Sequence, residues 1–89
     1  MTIELKIGME CVSGWVEFIG CGNTTDEAIT HLQDQLSQQK SEVFEHVRDA
    51  CCHSFKIDGY SVPFEVRMDM NDKLDQVLWK KFIPFWFEE

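Results

Sequence analysis

The chain has 89 residues, of which 16 are Asp or Glu and 8 are Lys or Arg, for a net charge of −8. That length holds one domain, 1–89, with one modest core. The charge argues against direct binding to nucleic acid or to an anionic membrane, both of which call for clustered Lys and Arg, and no apolar run approaches the roughly 20 residues of a membrane helix.

The N-terminus, MTIELKIGME, alternates apolar and polar residues and reads as neither a signal nor a transit peptide. A cytoplasmic protein is therefore expected (the host cytoplasm, for a chain of viral origin). Period-two alternation predicts a strand over residues 3–11, with Ile3, Leu5, Ile7, Met9 and Cys11 on its buried face. A second strand, residues 15–21, follows a Ser13-Gly14 turn. Pairing Val12 with Trp15 and Glu10 with Glu17 puts Val16 and Phe18 on the core face and leaves Trp15, Ile19 and Cys21 on the other, among charges.

GNTTDEAITHL opens a helix, with Thr24 and Glu27 fitting a capping box. Ala28, Ile29, Leu32, Leu36, Val43, Phe44, Val47, Ala50 and Cys51 fall on one arc of about 160°. This phase predicts a single helix over residues 25–52, about 40 Å long. Gln39 and Lys40 on the inner arc are its weak point. A second hairpin is expected over residues 54–70, with Ile57 opposite Val62 across a DGYS loop and Phe64, Val66, Met68 and Met70 facing in. A short final helix from about Asn71 to Phe82 would end at Pro84. The expected fold class is α+β: a two-layer β-β-α-β-β-α sandwich, a four-stranded, largely antiparallel sheet with one long helix on one face and a short C-terminal helix.

No glycine-rich phosphate loop, nucleophile elbow or zinc-protease motif appears, and no pair of carboxylates is marked as buried, so the chain does not read as an enzyme. The cluster Cys51-Cys52-His53 would splay on a helix, so neither metal nor cofactor is expected.

Residues 3–36 resemble the front half of the HicB-like antitoxin fold, in which a strand hairpin runs into a G-D/N-T-x-E/D-E-A turn that starts a helix. The matching stretch is GNTTDEA, Gly22–Ala28. The sequence departs from that family in its long helix, in the hairpin that follows and in lacking a DNA-binding extension. The resemblance implies a small protein that neutralises a protein partner, and it carries over no catalytic residue. By type, a short acidic chain without an active site also resembles phage-encoded inhibitors of bacterial defence, anti-CRISPR proteins among them.

Two partner-binding surfaces are expected. One is an acidic stripe on the long helix, where Glu27, Asp34, Glu42, Glu45 and Asp49 fall within about 80° of one another, a nucleic-acid mimic facing a basic partner. The other is aromatic: Trp15, Ile19, Trp79 and Trp86, with Phe85 and Phe87 turned inward. The functional reading is an inhibitor that covers the basic, nucleic-acid-binding surface of a partner protein. The alternative is an assembly protein that self-associates, as a homodimer or larger, through sheet edge and exposed aromatics.

Overall fold

Alternation builds β1 (Ile3–Cys11), which buries Ile3, Leu5, Ile7, Met9 and Cys11 on one face. The computed structural model describes residues 1–83. β2 (Gly14–Gly22) returns antiparallel, with Phe18 opposite Ile7 and Val16 opposite Met9. The faces are those expected, but the register slips by two residues: Trp15 pairs with Glu10, because the loop is Val12-Ser13 and Gly14, at φ +125°, already belongs to the strand. A slip of two leaves every side chain on its own face.

The Thr24 hydroxyl accepts the Glu27 N–H at 3.1 Å, and Glu27 reaches back to the Asn23 N–H at 2.7 Å, starting α1 (Thr25–Ser37). α1 buries Ala28, Ile29, Leu32 and Leu36 against the sheet. The approach is close at Gly20, where a side chain would collide with the Ala28 carbonyl and Leu32.

The single helix expected over residues 25–52 does not form. α1 stops at Ser37, whose hydroxyl donates to the Gln33 carbonyl at 2.8 Å, and Lys40 is extended (φ −69°, ψ 144°). Continuing the helix would have pressed Gln39 and Lys40 onto apolar surface without partners. Instead a 3₁₀ turn, Ser41–Phe44, drops Phe44 into the core, and Asp49–Ile57 forms β3 along the free side of β1. The register of β3 shifts between Lys6 and Ile7, which leaves His53 as a bulge. Ala50, Cys52, Phe55 and Ile57 thus share the core face at irregular spacing, and Cys51, expected on the inner arc of the long helix, lies on the opposite face of β3.

Asp58 and Gly59 both have positive φ (53° and 84°), the requirement of a type I′ hairpin turn. Tyr60, not Val62, therefore pairs with Ile57, and β4 is only Tyr60–Ser61. The expected strand over residues 62–70 is a helix. Pro63 stands immediately before α2 (Phe64–Leu74), where its lack of an N–H costs nothing, and Glu65 lies in the positive first turn. α2 continues through one π turn, Asp75–Trp79, into α3 (Lys80–Phe82). The extra residue of the π turn rotates the helix so that Leu74, Leu78, Trp79 and Ile83 go inward, while Val77 stays exposed.

The coarse outcome is the expected one: an α+β chain whose four-stranded antiparallel sheet, ordered β2-β1-β3-β4, carries its helices on one side. The helical and core-face strand residues form one cluster. Helix side chains also clip both sheet edges. On β2 the Cys21 N–H donates to His31 Nδ1 at 3.0 Å, and Gln35 Nε2 donates to the Ile19 carbonyl. On β3, beyond the end of β4, Asn71 Oδ1 accepts the Cys52 N–H at 2.6 Å, and Arg67 donates to the His53 carbonyl at 3.2 Å. Such clips blunt edge-to-edge strand pairing.

Candidate functional site

With both helices on one side, no helix among the described residues covers the other face of the sheet. Cross-strand pairing fixes its layout row by row. Trp15, Glu10 and Asp49 stand abreast on β2, β1 and β3. The next row is Glu17, Gly8 and Cys51; then come Ile19, Lys6 and Ser54; and last Cys21, Glu4 and Lys56. Rows lie roughly 7 Å apart and strands about 4.8 Å apart. The face is therefore polarised. Three carboxylates, Glu10, Asp49 and Glu17, surround the Trp15 end, whereas both lysines sit toward the other end.

Trp15 is the centre of the acidic end. Its six-membered ring lies over Gly8, close enough that a Cβ on Gly8 would overlap Cζ2. The ring then reaches across β1 to the bulged His53, with centroids 5.8 Å apart in a T-shaped arrangement. Pinned on these two sides, Trp15 is still 45% exposed, and Ile19 on the same strand is 41% exposed. A large amphipathic ring held in one orientation but left open to solvent is the form of an interface anchor.

The charges around it are poorly compensated. Glu10 and Asp49 are directly opposed like charges, an arrangement that costs stability in a sheet. Lys6 meets Glu17 at 3.7 Å, both about a third exposed, so this pair is weak. Arg67, at the β3 edge, is engaged by the His53 carbonyl and lies 5.3 Å over the Phe64 ring. The chain as a whole carries 16 acids against 8 bases, a net charge of −8.

Thiol chemistry is suppressed here. Burial, helped by neighbouring Asp49 and opposed by Arg67, pushes the Cys51 thiol up. Cys52 points into the core, and burial pushes it up to about 11. Because the two lie on opposite faces of β3, Cys51 and Cys52 do not converge with His53 on one point.

The acidic stripe does not exist as a helical feature. Glu27 and Asp34 are on α1, Glu42 and Glu45 in and after the 3₁₀ turn, and Asp49 opens β3; all five are exposed. Asp49 instead joins the Trp15 end of the open face. The aromatic set divides as well. Trp15 and Ile19 are exposed as expected, but Trp79 is 1% exposed and belongs to the core, turned inward by the π turn. Trp86, with Pro84, Phe85 and Phe87, lies outside the described residues. Gly8, Glu10, Glu17 and His53 were not among the expected site residues: the expected register set Glu10 opposite Glu17, and only the observed one sets it beside Trp15.

No protein-family model matches the chain, and no curated protein or solved structure shows significant similarity to it. Among the described residues no helix is long and apolar enough to cross a membrane.

Proposed function

We propose that this protein is a binding module that covers a basic surface of a partner protein, one whose Lys and Arg otherwise hold nucleic acid, in the manner of antitoxin-like or anti-defence inhibitors. The observation that carries this reading is the open sheet face: an exposed Trp15, packed on Gly8 and His53, at the same end as Glu10, Glu17 and Asp49, with no helix over it among the described residues. Clustered carboxylates steer a basic partner and fix its orientation, and a rigid aromatic supplies the contact area. The exposed acids Glu27, Asp34, Glu42 and Glu45 extend the negative field beyond the face and speed encounter. No covalent step is involved.

The test is capture of basic nucleic-acid-binding proteins on the immobilised full chain, followed by elution with competing nucleic acid and with salt. The reading requires both eluents to release the partner. A partner that stays bound through both would contradict it.

A specific observation favours the second reading, self-association. Phe64, Val66 and Met68 on α2 and Tyr60 on β4 are exposed, Tyr60 at 79%. The sheet edges are clipped, so this reading now runs through α2. Sizing by light scattering in high salt separates the two: a hydrophobic dimer persists there, and a charge-driven binder is a monomer when alone.

A further inference from the structure

The row of Trp15, Glu10 and Asp49 has a chemistry more specific than negative charge. Directly opposed residues in an antiparallel pair have Cα atoms about 4.5–5.5 Å apart. Two carboxylates are therefore held side by side next to an aromatic ring, and a third, Glu17, stands two residues along β2 from that ring. The ring packs on Gly8 beneath it and against His53 at 5.8 Å, so one of its faces lies on the sheet. One cation placed on the ring would answer the Glu10–Asp49 repulsion and meet the π face at once.

We propose that this site takes an arginine side chain of the partner, its guanidinium stacked on Trp15 and its N–H groups shared between Glu10 and Asp49. This inference rests on the reading of the open face as a docking surface for a basic protein. Arginine fits better than lysine for two reasons. Its planar, weakly hydrated head stacks on an indole, and its fork of donors can satisfy two carboxylate oxygens together, whereas an ammonium is a compact, strongly hydrated point charge. A trimethylated ammonium would need several rings around it, and among the described residues only Trp15 and His53 offer rings here.

The experiment titrates the full chain with two blocked peptides of equal length, tetra-arginine and tetra-lysine, at low and moderate salt. Binding is followed at the Trp15 indole N–H resonance, assigned with the Trp15→Phe variant. Tetra-arginine should shift that resonance and bind severalfold tighter than tetra-lysine, by up to about fivefold, the full scale of an exposed cation–π contact. Trp15→Ala should abolish the preference. In case that variant is destabilised, the Glu10→Gln, Asp49→Asn double variant, which changes two exposed residues, should weaken both peptides and leave the fold unchanged. Equal affinity for the two peptides, or a preference that survives Trp15→Ala, overturns the arginine assignment. Tetra-arginine binding that shifts α1 resonances and not Trp15 overturns it as well, while leaving the basic-partner reading in place. If neither peptide binds, the arginine assignment falls, and capture of a basic protein by the chain remains the separate test of the wider reading.

Discussion

Asn71 Oδ1 accepts the backbone N–H of Cys52 at 2.6 Å. β4 ends at Ser61, so no strand reaches this part of β3, and the helix supplies the partner that a strand would have given. Asn71→Leu keeps the bulk but leaves a half-buried N–H unpaired. It should cost about 1–3 kcal/mol in urea unfolding. Asn71→Asp, which retains the acceptor, should recover part of that loss. A leucine variant as stable as the parent would show that the clip contributes nothing.

Gly8 is glycine because Trp15 occupies the space above it. Gly8→Ala should force the indole off the sheet and away from His53. The expected signature is a more solvent-exposed Trp15 emission, seen in a Trp79→Phe, Trp86→Phe background, together with weaker partner binding. Unchanged emission would place the ring elsewhere.

Trp79 and Trp15 should behave oppositely on truncation. Trp79 is fully enclosed with Leu74, Leu78 and Ile83, so Trp79→Ala should cost about 3–5 kcal/mol. Trp15→Ala removes a half-exposed side chain and should cost clearly less, while accounting for most of the loss in binding. Denaturant midpoints and partner affinity, measured on both variants, check the division.

Asp75 is raised above the usual carboxylate range by burial first and by neighbouring Asp72 second, with Lys80 acting against both. A carboxyl whose folded pKa is raised favours the folded state while protonated. That contribution is full below the unfolded value and is lost as pH rises through the folded one. Asp75→Asn should therefore raise the melting temperature slightly at pH 7 and make no difference near pH 3. A variant that melts lower at pH 7 would mean that the charge of Asp75 is favourable.

These elements differ in how openly the sequence announced them. β1 and β2 were legible because one buried face imposes strict alternation, and the same alternation marked Trp15 and Ile19 as outward. Their register was not, since a slip of two residues preserves both faces and only Gly14 decides between the alternatives. The first half of β3 was hidden because Val43, Phe44, Val47, Ala50 and Cys51 keep the helical phase of α1, and the His53 bulge breaks the alternation that would have marked Ala50, Cys52 and Phe55 as one strand face. In α2 the deception ran the other way. Val62, Phe64, Val66, Met68 and Met70 alternate like a strand, yet Pro63 starts a helix, and Phe64, Val66 and Met68 are left exposed as a result. Half of the candidate site followed from local pattern. The other half, the pairing of Glu10 with Asp49, depends on a strand that local pattern disguised.

The most direct test of the docking face is the affinity of the captured basic partner for the charge-reversed variant Glu10→Lys, Glu17→Lys, Asp49→Lys, set beside a control reversed at Asp34, Glu42 and Glu45. All six positions are exposed, so both variants should fold. The open-face account predicts a loss of roughly tenfold or more in the first variant, with a smaller, salt-sensitive loss in the second. Full affinity in the first variant, with binding lost in the second, would contradict it and move the site to α1 and the 3₁₀ turn.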